Sequence, residues 1–149
     1  MRNLISNPGF ETGDLSGWEI ISGGWKAISS GSIIATPHSG KYWLLLDGGT
    51  NARLRSNTMA VTPGATLRIS LWRCEATTFR SSEVLMLLPN GTLQQVLPLP
   101  RVSNEQTLKW LRYETTWTVP EGVTQTALVI HSVEDSYTRI DDVEVTEEI

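Results

Sequence analysis

Apolar residues along this chain come in short runs, most of them rich in β-branched or aromatic side chains and closed by Gly, Pro, Asn or Ser. Runs of this kind, bounded by turn residues, belong to the strands of an all-β sandwich or barrel. The pattern predicts strands over residues 2–5, 18–21, 25–29, 42–47, 52–60, 66–73, 83–88, 93–97, 110–118, 125–131 and 138–146, with no helix. The sharpest hairpin signal is "SSEVLMLLPNGTLQQVLPL", where Asn90 and Gly91 are expected to supply the positive φ angles of a tight turn. The opening stretch "NLISNPGFETGDLSGWEI" reads as short strands joined through tight turns, with Glu11 held on stiff, irregular backbone.

Strand phase assigns faces, because successive side chains of a strand point to opposite sides. In "TLRISLWRC", Leu67, Ile69 and Leu71 share one face, while Arg68, Ser70 and Trp72 share the other. In "WLRYETTWTV", Trp117 falls with Leu111 and Tyr113, whereas Trp110 falls with Arg112 and Glu114. Trp18 and Trp117 read as core. Trp72 stands on a polar face, where an indole can stack on the C–H face of a sugar while Arg and Glu read its hydroxyls. Sequence phase leaves Trp72 open between that role and simple packing.

Length and charge narrow the partners. A chain of 149 residues makes one domain, taken here as 1–149, and a net charge of −4 argues against nucleic acid, which demands clustered Lys and Arg. Cys74 is the sole cysteine, so no intrachain disulfide forms and it reads as a buried small hydrophobe. His38 reads as a loop residue and His131 as a surface or rim residue. No "HExxH", "GxSxG" or phosphate-loop pattern occurs and no pair of acids is singled out by spacing, so the chain does not read as an enzyme.

The opening stretch resembles the N-terminal signature of the β-sandwich carbohydrate-binding modules found beside xylanases and glucanases. The likeness continues through "HSGKYWLLL" at 38–46, "VTPGATLRISLWRC" at 61–74, "WLRYETTWTVP" at 110–120 and "YTRIDDVEV" at 137–145. The resemblance implies a jelly-roll sandwich of two antiparallel sheets whose first and last strands meet at one edge. It also implies a structural calcium ion held by the side chains of Glu11 and Asp142 and the carbonyls of Gly9 and Lys41, a mixed oxygen set that calcium accepts. The alternative is that Glu11 caps backbone N–H groups or pairs with an arginine, and that Asp141 or Asp142 does likewise.

Such modules bind a polysaccharide or other glycan on a sheet face or at the loops of one sandwich end. The face candidates are Trp72, Arg68, Arg73, Arg112 and Glu114. The loop candidates are Trp25, Phe79 and Arg80. A rival reading uses the same sandwich for assembly, as a phage capsid-decoration, tail or fibre component or a surface-lattice subunit, with tryptophans buried against a neighbouring copy or virion protein. No apolar run is long enough for a signal peptide or a membrane span. The chain is therefore either kept in the cytoplasm or, in the extracellular or virion-associated location that both readings imply, released by lysis, by a route not encoded here, or after removal of a signal.

Overall fold

The computed structural model describes residues 2–29, 36–48, 50–132 and 137–148. Eleven strands follow one another: β1 (Glu19–Ser22), β2 (Trp25–Ile28), β3 (Trp43–Leu46), β4 (Ala52–Arg55), β5 (Met59–Ala60), β6 (Thr66–Cys74), β7 (Ser82–Leu87), β8 (Leu93–Leu99), β9 (Leu111–Thr118), β10 (Gln125–Ser132) and β11 (Arg139–Glu148). Between β8 and β9 the described residues also contain a single 3₁₀ turn, Asn104–Gln106. The strands form a six-stranded sheet, β1-β4-β10-β7-β8 with β5 also on β10, and a five-stranded sheet, β2-β3-β11-β6-β9. Every pairing is antiparallel. The fold is thus the all-β, two-sheet sandwich that the alternation predicts, consistent with a jelly roll.

Alternation places the core between the sheets. Leu67, Ile69 and Leu71 from β6 meet Leu54 from β4, Val84 and Met86 from β7, and Leu128 and Ile130 from β10, all within one buried apolar cluster. Phe10, Trp18, Trp25 and Trp117 fill the same cluster, so Trp25 is a core residue and not a loop contact. Its indole N–H is satisfied internally, donating to the Ser22 carbonyl at 2.8 Å. Cys74 is buried, and desolvation pushes its thiol up to about 11, which makes it inert.

Three local expectations are corrected. Residues 2–5 form no strand of either sheet; the segment lies along β11, with the Leu4 N–H donating to the Val145 carbonyl at 2.8 Å and Asn3 bonding Val143 and Val145 through its side chain. The expected strand over 52–60 is split into β4 and β5 around Ser56, whose N–H and hydroxyl both bond Leu128 of β10. In the β7–β8 hairpin only Gly91 has positive φ, at 88°. The Gly91 N–H donates to the Leu88 carbonyl and the Leu88 N–H to the Thr92 carbonyl, so the connection is a longer turn closed by a left-handed glycine.

Candidate functional site

The outer face of the five-stranded sheet carries the residues that strand phase selects, but a loop crosses it. Trp72 is half-buried, and the His38 ring stacks on it with centroids 3.8 Å apart and planes 19° from parallel. Trp110 meets His38 edge-on and donates its indole N–H to the Thr36 carbonyl at 3.2 Å. Trp43 and Leu45 also point outward from β3, opposite Leu44 and Leu46 in the core, yet both are buried. The described residues 36–38 before β3 therefore lie over this end of the face, and one side of the Trp72 ring is occupied by protein. Arg68, Glu114 and Arg112 remain exposed on the same face but bind one another: Arg68 reaches Glu114 at 2.5 Å and Glu148 at 2.7 Å, and Arg112 also pairs with Glu114.

The loop is pinned by acids from both chain ends. A bulge in β11 between Asp141 and Glu144 gives Asp142 a φ of 50° and turns the Val143 N–H toward the Pro8 carbonyl, 3.0 Å away. Asp141 Oδ2 accepts from the N–H groups of His38 and Ser39 at 3.1 and 3.2 Å. Asp142 Oδ2 meets His38 Nδ1 at 2.5 Å and the Ser39 hydroxyl at 2.7 Å. Glu11 accepts from the Lys41 N–H at 2.8 Å and the Tyr42 N–H at 3.0 Å, so it does cap backbone N–H groups. Gly40, at φ +64°, is required here, because a Cβ would sit 2.4 Å from the Glu11 carboxylate.

These acids converge on Gly9. A Cβ there would stand 3.2 Å from Asp142 Oδ1, 3.5 Å from Glu11 Cγ and 3.7 Å from Asp141 Oδ1. Burial, reinforced by the charge of Asp142, pushes the Asp141 carboxyl up to about 7 despite its three backbone N–H donors. Among the described residues no group of three or more His, Cys, Asp or Glu side chains is placed to hold a metal ion, so a cation here must draw on backbone carbonyls as well.

Two other candidates separate at the sandwich end. Arg73 follows Leu67, Ile69 and Leu71 on the inner face of β6, where it is buried against Glu75 with Nε 2.9 Å from Oε2. Its role is structural, and it presents nothing to a ligand. Phe79 is 56% exposed and Tyr137 43% exposed, with the Arg80 guanidinium 5.0 Å from one ring centroid and 5.3 Å from the other.

The six-stranded sheet offers a face that sequence reading did not single out. Opposite the core-facing Leu54, Val84, Met86, Leu128 and Ile130, its outer side carries Arg53, Arg55, Glu83, Leu85, Leu87, Ala127, Val129 and His131. Burial is deepest along the middle strand, with Ala127 and Val129 1% exposed and His131 6%, while Arg53, Arg55, Glu83 and Leu87 are half-buried and Gln95 is exposed. The profile is that of a trough with an apolar floor and polar walls. His131 is therefore on a face but buried, not on the rim, and its Nδ1 lies 2.7 Å from Glu83 Oε2. Gln95 donates to Glu83 Oε1 at 2.7 Å. The trough opens toward the β7–β8 turn into a shallow pocket of about 210 Å³ lined in part by Arg55, Thr58, Leu87, Gln125 and Ala127. The missed signal lay in "SEVLML" and "TALVIHS", whose outward positions are polar at one end, Glu83 and His131, and apolar along the rest.

The architecture is shared with solved structures. "Family 16 Carbohydrate Binding Module-2" superposes with a TM-score of 0.74 at 18% identity, over 97% of this chain and all of the other. TmCBM61, solved with β-1,4-galactotriose, gives 0.67 at 21% identity over 99% of this chain and all of the other. The enzymatically active domain of bacteriophage CBA120 tailspike protein 4 gives 0.68 at 14% identity, over 98% of this chain and 21% of that one. At these identities the likeness concerns the fold. No curated protein matches in sequence, and no described helix is long and apolar enough to cross a membrane. The family described as "Carbohydrate binding domain" matches residues 2–136, and the chain belongs to it, a noncatalytic module for binding glycans.

Proposed function

We propose that the glycan lies in the trough of the six-stranded sheet. The observation that carries this reading is the combination, on one sheet face, of an apolar floor at Leu85, Ala127 and Val129 with polar walls at Arg53, Arg55, Glu83 and Gln95. Among the described residues, no loop is hydrogen-bonded across that face, in contrast to the Trp72 face. Sugar rings rest their C–H surfaces on the half-buried Leu87 and the aliphatic stems of Arg53 and Arg55, above the buried floor, while their hydroxyls bond to the walls, a largely preformed arrangement. TmCBM61 was solved with a β-1,4-linked galactotriose, which supports short oligosaccharides as the ligand scale.

Two substitutions test this. Gln95→Ala removes an exposed hydrogen-bonding arm and is expected to lower glycan affinity about tenfold, the worth of roughly one good hydrogen bond, with the melting temperature unchanged. Trp72→Ala is expected to do the reverse. It removes a half-buried ring and its stack on His38, so stability falls by about 2 kcal/mol while affinity holds. Calorimetric titration and thermal melts of both variants decide; loss of binding in Trp72→Ala alone would return the site to the five-stranded sheet.

The cation reading fits the carboxylates around Gly9. Asp142 Oδ1 takes no hydrogen bond from a described residue, and Asp141 Oδ1 takes only the Asp142 N–H at 2.9 Å. Calcium held by Asp142 and Glu11, with carbonyls of Gly9 and Lys41, would offset the Asp142 repulsion that adds to burial in raising Asp141. Capping by Glu11 is compatible with this, since each carboxylate oxygen has a second lone pair. The ion's work is structural: it ties the N-terminal segment and the loop before β3 to β11.

A further inference from the structure

We propose that the trough selects acidic glycans, with Arg53 receiving the carboxylate of a uronic-acid residue. The inference rests on the sheet-face reading above and names the ligand class for it.

Arg53 points away from the core, since Ala52 and Leu54 on either side of it are buried in the core cluster. Its register sets it opposite His131, and His131 in turn is opposite Glu83. Glu83 is two strands from Arg53, about 10 Å, and both of its oxygens are engaged, by His131 Nδ1 and by Gln95. Arg55 lies two residues on along the same face and donates to the Thr58 hydroxyl at 2.6 Å. Glu19, exposed on β1, is opposite Arg55 rather than Arg53. Among the described residues Arg53 makes no hydrogen bond or ion pair, and its Nε is buried without an acceptor, as is His131 Nε2.

A buried Nε–H with no acceptor among the described residues is costly, since buried donors are normally satisfied, and the rest of the guanidinium stays accessible to a ligand. The ligand that satisfies it best is a carboxylate, which takes two parallel N–H bonds from the planar fork, whereas a sugar hydroxyl takes one. Composition points the same way. None of the six strands of this sheet contains Trp, Tyr or Phe, so the strands themselves offer no such ring for stacking. With a net charge of −4 the protein as a whole repels a polyanion. Any preference for acidic chains must therefore come from a local cation, and among the described residues of this face Arg53 is the arginine with no hydrogen-bond or ion-pair partner.

The test titrates the protein with oligosaccharides of polygalacturonate, alginate and glucuronoxylan, each beside the same chains with carboxyls reduced to alcohols. The expected result is at least tenfold tighter binding of one acidic series than of its reduced form. Arg53→Gln should abolish that difference by lowering the acidic affinity to the reduced level, with an unchanged melt, and Arg53→Lys should restore part of it. Equal affinity for acidic and reduced chains, with both lowered by Gln95→Ala, overturns the carboxylate preference and leaves the trough reading standing. Binding that neither Arg53→Gln nor Gln95→Ala weakens, or no binding to any series, overturns the proposal and counts against the trough as well.

Discussion

Arg73→Met is expected to lower the unfolding free energy by about 3–5 kcal/mol, the usual cost of leaving one member of a buried ion pair without its partner. In a domain of this size that is a fall of roughly 10 °C in melting temperature. The guanidinium ties together four parts of the sandwich end. It bonds Glu75 after β6, the Pro100 carbonyl at 2.6 Å, the Tyr113 hydroxyl at 3.3 Å on β9 and the Arg80 carbonyl at 3.1 Å. Glu75 has no exposed side-chain surface, and burial pushes its carboxyl up against the lowering influence of Arg73. Without Arg73, Glu75 keeps the Thr138 hydroxyl and the weaker attraction of Arg139, and must take up a proton or unfold the loop around it. The double variant Arg73→Met/Glu75→Leu removes both charges and should recover much of the loss. Urea denaturation of the two variants checks this, and a single variant within 1 kcal/mol of the parent would show that the pair carries no net weight.

The same residue shows what the sequence disclosed and what it concealed. Period-two alternation in "TLRISLWRC" sorted Leu67, Ile69 and Leu71 from Arg68, Ser70 and Trp72 correctly. Extended by one step, it puts Arg73 on the inner face, but a charged residue reads as exposed unless its buried acceptors are visible, and those come from residues 75, 80, 100 and 113. Trp72 was sorted to the outer face correctly, but alternation does not say whether a loop will lie on that face. His38 settles it from 34 positions away in the chain, on a loop held by Asp141, Asp142 and Glu11. The trough escaped notice for another reason. Its floor residues Leu85, Ala127 and Val129 sit inside runs that are apolar at nearly every position, and such runs look like strands buried on both faces. Backbone geometry was the least legible. Phe10 at φ 58° and Asp142 at φ 50° adopt the left-handed region, which is rare for Phe and uncommon even for Asp, and nothing local in the sequence announces it.

Removing calcium is expected to lower the melting temperature by about 5–10 °C, the shift for a site about a hundredfold above its dissociation constant in a domain of this size. The two chain ends meet at this cluster. Glu11, on the segment whose Phe10 is wholly buried in the core, and Asp142, at the β11 bulge, hold the same loop before β3. Loosening that cluster therefore frees the N-terminal segment and uncovers Trp72 together. In chelator, the acids must instead relieve their repulsion by protonation. Asp141, at about 7 in the fold against an ordinary value of 3.8, binds its proton more tightly folded than unfolded between those limits. The metal-free protein should accordingly gain stability as pH falls from about 7 toward 4 and lose it as pH rises back through that window. With calcium bound the ionised acids are the favoured form, so the trend should flatten. Asp142→Asn removes a charge from the cluster and should melt identically with and without calcium. A parent protein whose melt is indifferent to both calcium and chelator would reduce Glu11 to a cap on Lys41 and Tyr42, and would leave partial protonation of Asp141, at about 7, as the way this fold tolerates three converging acids.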